Sequence, residues 1–170
     1  MLRLYILRHA KAAVATPGMK DQDRGLTERG NDDAKRLANS MRQLQMLPGE
    51  VVCSPSRRTR MTLHAIMGAF DDAKAPQIEY DENLYSGEPA DYWKAIHGFV
   101  NEKPAMIIGH NPMCEIVAAA IGGEGEPTSV SLLRKSFPAG ALAVFDLPAK
   151  RWAEVRQGEG WLVNFIVPAG

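Results

Sequence analysis

Two histidines in this chain follow short apolar runs and precede segments patterned as helices. Leu7-Arg8-His9-Ala10 closes the run that begins at Leu2, and Gly109-His110-Asn111-Pro112 closes the run Ala105 to Ile108. Between them, Val51-Val52-Cys53 leads into Ser54-Pro55-Ser56-Arg57-Arg58-Thr59-Arg60-Met61-Thr62. Three strand ends thus carry two imidazoles and several guanidiniums. A neutral imidazole is a nucleophile at pH 7, and a guanidinium binds an oxyanion bidentately. The constellation suits transfer of a phosphoryl group with a histidine as the attacking residue. Arg57, Arg58 and Arg60 crowd the start of an expected helix, where cations oppose the dipole at about a few tenths of a kcal/mol each. A bound phosphate reverses that conflict, because helix N-termini favour anions. Taken singly, the arginines read as a solvated helix face and each histidine as a hydrogen-bonded structural residue. Their joint placement tips the balance to a site. His64 and His97 fall inside expected helices and read as structural.

The elements that must position these residues follow from periodicity. Residues 2–8 read as a buried strand. Residues 11–26 read as a loop with a turn at Thr16-Pro17-Gly18. Thr27 is a good helix N-cap, and Ala34, Leu37, Ala38, Met41 and Leu44 form a helical stripe after it. Pro48-Gly49 ends that helix. Val51 to Cys53 is a short strand, and a helix follows over about 57–70. Residues 77–80 read as a strand and 81–89 as a loop. A helix over about 89–101 starts at Pro89, a residue suited to a first turn. A buried strand at 105–108 precedes a helix at 113–121, stopped by Gly122-Gly123. Residues 123–138 are polar and read as a surface loop. Strands are expected at 140–147, 152–156 and 161–167, the last two as a hairpin across Gly158-Glu159-Gly160. Alternating strands and helices argue for an α/β domain, three-layered, with a mostly parallel central sheet. In such sheets ligands bind beyond the carboxyl ends of the strands, where all three strand-end strings fall.

The bulk composition is compatible with this and narrows the class. A chain of 170 residues favours a single domain over 1–170. Lys plus Arg total 20 and Asp plus Glu total 20, so the chain lacks the overall charge of a nucleic-acid binder. No apolar run approaches the ~18 residues that span a bilayer, and the N-terminal run is too short for a secretory signal. Cys53 and Cys114 are far apart, outside any metal-spaced cluster, and read as buried free thiols. A cytoplasmic protein without membrane attachment is expected. No metal-spaced carboxylate cluster is visible, so no metal or other cofactor is expected.

At this point the chain resembles a family. Leu7-Arg8-His9 is similar to the Arg-His-Gly signature of the histidine phosphatase (phosphoglycerate mutase-like) superfamily, with Ala10 at the glycine position. Arg24-Gly25-Leu26-Thr27-Glu28-Arg29-Gly30 resembles its Arg-Pro-Leu-Thr-x-x-Gly segment, with Gly25 in place of proline. Ser54-Pro55-x-x-Arg58-x-x-x-Thr62 resembles its Ser-Pro-x-x-Arg-Ala-x-Gln-Thr motif, and Gly109-His110-Asn111-Pro112 its second histidine motif. Four motifs in order span residues 2 to about 121. The Ala10 variant and the short length look most like the SixA-type phosphohistidine phosphatase branch. The resemblance implies the phosphoglycerate mutase-like fold and a metal-independent phosphatase. It implies His9 as nucleophile through a phosphohistidine intermediate, with Arg8, Arg58 and His110 holding the phosphoryl oxygens. Arg24 would reach the phosphate or order the loop over it. Many members place an acid after the second helix, where Asp81-Glu82-Asn83-Leu84-Tyr85 lies here, and Glu82 is the candidate. An alkoxide leaving group needs that proton; a phosphohistidine, whose leaving imidazole is a better leaving group, does not.

Three substrate readings follow. The first is a phosphorylated protein histidine, such as that of a histidine-phosphotransfer domain, met by an open site. The alternative is a small phosphate ester of a sugar or nucleotide, with Glu82 a working acid and residues within 12–24 and 123–138 on the substrate. The third is a non-catalytic phosphohistidine-binding module, against which the intact His9 stands.

Overall fold

The structure, a computed structural model, describes residues 1–70 and 75–169. Seven strands form one sheet: β1 (Leu2–Arg8), β2 (Glu50–Cys53), β3 (Gln77–Tyr80), β4 (Ala105–Gly109), β5 (Glu124–Gly125), β6 (Leu142–Leu147) and β7 (Trp161–Ile166). Their order is β3-β2-β4-β1-β6-β7-β5. β3, β2, β4 and β1 run parallel, β6 is antiparallel to both β1 and β7, and β5 pairs parallel with β7. The central strands are covered on both faces, which is why β4 is buried at every position and reads as an unbroken apolar run.

Side chains of β1 alternate between two cores. Tyr5 and Leu7 face α1 (Glu28–Gln43) and α2 (Arg57–Met67), packing with Leu37, Ala38, Met41, Leu63 and Ile66. Leu4 and Ile6 face the other layer, which holds α4 (Pro89–Gly98), α5 (Met113–Ile121) and α6 (Pro127–Lys135). A four-residue helix, α3 (Asn83–Ser86), precedes α4. Both helices on the first face begin with hydroxyl caps. Thr27 accepts a hydrogen bond from the Gly30 amide at 2.9 Å, and Ser56 caps α2 by accepting from the Thr59 amide. Gly30 is required sterically, since a Cβ there would lie 2.2 Å from the Lys11 carbonyl oxygen.

The helices that follow β1 and β4 leave for opposite faces of the sheet: α1 packs in one core and α5 in the other. β1 and β4 are neighbours, so the chain parts at their carboxyl ends and opens a crevice between the two connections. His9 and His110 stand at that crevice.

Three expectations about the elements are corrected. Residues 123–138 are not all loop. They hold β5 and α6, whose N-cap Glu126 accepts from the Thr128 and Ser129 amides at 3.0 and 2.7 Å. Pro127 opens the first turn, and Ser129 and Leu133, one turn apart, are buried. Residues 152–156 are not a strand, and there is no hairpin with β7. Trp152–Glu154 is a 3-10 turn, because Trp152 tucks against Phe99 and donates its indole N–H to the Asn101 carbonyl at 2.6 Å. The 81–89 segment, expected as loop, contains the short α3. No described helix is long and apolar enough to cross a membrane.

Candidate active site

Three adjacent strands, β2, β4 and β1, deliver Ser54, His110 and His9 to the same edge of the sheet. The parallel ladder continues one residue past the strand end, where the His9 amide donates to the Gly109 carbonyl at 3.1 Å. The Arg8 and His9 carbonyls accept from the Gly140 amide. Thr62 then ties β1 to α2: its hydroxyl accepts from the Ala10 amide at 3.0 Å and donates to the Arg58 carbonyl at 2.8 Å. The backbone that carries His9 is therefore fixed to the helix that carries Arg58.

The two imidazoles lie 5.2 Å apart, ring centre to ring centre. Both are buried. His9 Nδ1 stands 2.7 Å from the Ala10 carbonyl oxygen. A carbonyl only accepts, so Nδ1 carries the proton and Nε2 keeps its lone pair. Burial pushes the His9 pKa down to about 4; the Ala10 carbonyl opposes this, and the charges of Arg58, Arg8 and Arg24 push the same way as burial. At neutral pH the ring is neutral, with one nitrogen free to attack.

His110 is built differently. Its Nε2 lies 2.7 Å from the Ser54 hydroxyl, and its Nδ1 is buried and unpartnered. Burial, then His9 and Arg58, push its pKa down to about 3. If Ser54 donates to Nε2, Nδ1 carries the hydrogen and becomes a donor. The His110 amide donates to the Tyr92 hydroxyl at 3.1 Å, and that hydroxyl donates to the Leu84 carbonyl at 2.9 Å. Gly109 makes room for the phenol, since a Cβ there would lie 2.2 Å from the Tyr92 oxygen.

Of the arginines the sequence singles out, Arg8 and Arg58 stand at the two histidines, whereas Arg57 and Arg60 line an outer groove. Arg8 donates from Nη1 to the Phe137 carbonyl at 2.8 Å, and its Nε is buried and unpartnered. Burial lowers its pKa. Arg58 sits in the first turn of α2 and donates from Nη1 to the Asp21 carbonyl at 2.9 Å and from Nη2 to Asp21 Oδ2 at 3.0 Å. Arg24 stays within the 11–26 loop, donating to the Ala13 carbonyl and to Asp21 Oδ1, both at 2.9 Å. Of the two options for Arg24, these contacts are those of a residue that orders the loop. Glu82 immediately precedes α3 without a side-chain capping bond, is exposed, and lines a groove of about 830 Å³ shared with Pro55, Arg57, Arg60, His64 and Tyr80. One helical turn later, Tyr85 meets His110 in a T-shaped ring pair, with centroids 5.6 Å apart.

Four residues that touch the cluster carried no role in the sequence reading: Ser54, Tyr92, Asp21 and Tyr85. Asp21 lies three residues before Arg24, a spacing that places the two side chains on one side of a turn, where they pair; Tyr85 lies three after Glu82, yet it faces His110 while Glu82 lines the outer groove. Cys53 and Cys114 are buried free thiols, as expected, and burial pushes each up to about 12. His97 donates from Nε2 to the Val155 carbonyl at 2.9 Å, a structural tie.

Comparison with known proteins gives the same constellation a lineage. A family model described as the histidine phosphatase superfamily (branch 1) matches residues 4–86. The SixA crystal structure from Agrobacterium tumefaciens is 32% identical, with a TM-score of 0.81, covering 98% of this chain and 97% of that one. This chain belongs to the histidine phosphatase superfamily. Within the superfamily, the SixA structure from Nakamurella multipartitia is 25% identical with a TM-score of 0.83, over 99% of this chain and 96% of that one. The uncharacterized protein Rv1276c of Mycobacterium tuberculosis is 32% identical over 166 residues, 95% of this chain and 99% of that protein. The fold is that of the histidine phosphatases, and its structural neighbours include SixA proteins; together they support a phosphatase.

Proposed function

We propose that this chain is a protein phosphohistidine phosphatase of the SixA type, with His9 as the nucleophile. The observation that carries the reading is the His9 tautomer: Nδ1 is committed to the Ala10 carbonyl, which leaves Nε2 as the attacking atom. In the first step the Nε2 lone pair forms a bond to phosphorus and the bond to the substrate imidazole breaks. The departing nitrogen keeps the electron pair. That ring leaves as neutral imidazole when its other nitrogen is already protonated, so no enzyme acid is needed. In the second step water attacks phosphorus, phosphate leaves, and His9 is restored.

Phosphoryl transfer asks mainly for position and charge stabilisation. Arg8, with Nε free, Arg58 at the start of α2, and His110, with Nδ1 as donor, supply that in this scheme. Charge developing on the phosphoryl oxygens is met by these groups, and the scheme uses no metal or other cofactor. Two buried free thiols fit a reducing, cytoplasmic setting.

The groove beside the site, walled by Arg57, Arg60 and Glu82, favours a second reading, a small phosphate ester with Glu82 as acid. Hydrolysis of a phosphohistidine-bearing phosphotransfer protein, set beside p-nitrophenyl phosphate and a panel of sugar phosphates, separates the two. Preference for the phosphoprotein, lost in His9→Ala and kept in Glu82→Gln, is the expected result. Preference for an ester, lowered by Glu82→Gln, would replace the first reading by the second.

A further inference from the structure

One carboxylate oxygen in this site is held by two donors from different elements. Asp21 Oδ2 receives Arg58 Nη2 at 3.0 Å, from α2, and the Tyr85 hydroxyl at 2.8 Å, from α3. Tyr85 also meets His110 in a T-shaped ring pair and lies under the Arg58 guanidinium, whose carbon is 5.9 Å from the ring centre. Tyr85 thus touches two of the groups assigned to the phosphoryl oxygens. Its hydroxyl is spent on the same anionic oxygen that Arg58 binds. A carboxylate oxygen and a phosphoryl oxygen accept such donors alike.

We propose that Tyr85 Oη and Arg58 Nη2 form a single two-donor oxyanion position, that Asp21 Oδ2 fills it in the resting site, and that a substrate phosphoryl oxygen displaces Asp21 from it. Tyr85 is then a substrate-binding residue, and Asp21 a competing internal anion. The inference rests on the reading that the His9 site takes a phosphoryl group.

The parts are arranged for such an exchange. The Arg58 side chain is only 9% exposed and fixed in its helix, whereas the Asp21 side chain is 52% exposed on a 3-10 turn of the 11–26 loop. The remaining partner of the Asp21 carboxylate, Arg24 Nη1, belongs to the same loop and can travel with it. The tie from Arg58 Nη1 to the Asp21 carbonyl opens in the same movement. Asp21 stays ionised throughout the neutral range, because Arg24, then Tyr85, hold its carboxyl far below the usual carboxylate value. It therefore competes for Arg58 as a full anion, and an arriving phosphoryl group must outbid it.

The test is titration of the protein with tungstate, a tetrahedral oxyanion, by calorimetry. The proteins are wild type, Asp21→Asn, Asp21→Ala, and the double variant Asp21→Ala with Tyr85→Phe. Removing the competitor should tighten tungstate binding about tenfold in both single variants, the scale of one lost hydrogen bond to a charged group. In the Asp21→Ala background, Tyr85→Phe should weaken binding again by about tenfold, because the phenol then serves only the bound anion. Weaker binding in both Asp21 variants would make Asp21 a scaffold for Arg58 and overturn the exchange. Equal binding in Asp21→Ala and the double variant would remove Tyr85 from the oxyanion. Wild-type protein that binds no tungstate would instead overturn the phosphoryl-site reading itself, and this inference with it.

Discussion

Tyr92→Phe isolates one oxygen atom on which the second histidine depends. The phenol is fully buried and sits between two backbone groups: it accepts from the His110 amide at 3.1 Å and donates to the Leu84 carbonyl at 2.9 Å. Phenylalanine keeps the ring and its packing against the α4–α5 core, so the perturbation is limited to those two bonds. Each orphaned buried group costs about 1–3 kcal/mol, and partial relaxation brings the pair to about 2–4 kcal/mol. For a chain of this size that corresponds to a Tm lower by about 5–12 °C. The His110 amide is at the carboxyl end of β4, so its loss of a partner loosens the ring that faces His9. Turnover should therefore fall along with stability. Thermal unfolding followed by circular dichroism reads the first effect, and steady-state hydrolysis of a phosphohistidine protein, measured well below the new Tm, reads the second. A variant within about 0.5 kcal/mol of wild type, the range of an inconsequential surface change, would refute the view that this hydroxyl anchors His110.

Ser54→Ala should lower turnover by removing the partner of His110 Nε2, with a stability loss of about 1–3 kcal/mol; Ser54→Thr, which keeps the hydroxyl, should retain more turnover than alanine, and equal rates for the two would refute the pairing. Gly109→Ala should destabilise and impair the site together, because its Cβ meets the Tyr92 oxygen, and an unchanged melting curve would contradict that close approach. Stability should fall with acid in a window set by the two histidines. Their folded pKa values lie near 4 and 3, below the ordinary ~6.5, so below pH 6.5 the unfolded chain binds more protons and stability drops until the folded values are passed. Urea unfolding at pH 7 and pH 5 should show a loss on the order of 2 kcal/mol per histidine, and identical midpoints would contradict the buried neutral state.

The first half of the molecule was legible because its signals are local. Apolar runs ending in Arg8-His9 and His110, with a capped helix stripe at Ala34, Leu37, Ala38 and Met41, fix strands, faces and the sheet edge together. The second half misleads for a physical reason. α6 buries little besides Ser129 and Leu133, so its stripe is faint, although Glu126 followed by Pro127 is a helix start. Trp152 reads as a strand residue by composition, yet its position is decided by Phe99 and the Asn101 carbonyl, some fifty residues away. The same division holds in the site. Residues in motifs could be named from their strings. Asp21, Tyr85 and Tyr92 act through contacts across the fold: Asp21 reaches Arg58 and Tyr85, and Tyr92 bridges His110 and Leu84. No periodicity in one segment encodes such pairs. Glu82 and Tyr85 show the limit well, since one turn of α3 sends the first to the outer groove and the second to His110.

The central claim is that His9 Nε2 forms a bond to phosphorus. Rapid acid-free quenching of the protein during turnover of a phosphohistidine-bearing phosphotransfer protein, followed by mass spectrometry under alkaline conditions, tests it directly. The account predicts a transient phosphoryl adduct on His9 that is acid-labile, alkali-stable and absent from His9→Ala, which also loses turnover. An adduct on another residue, or full turnover in His9→Ala, would contradict it.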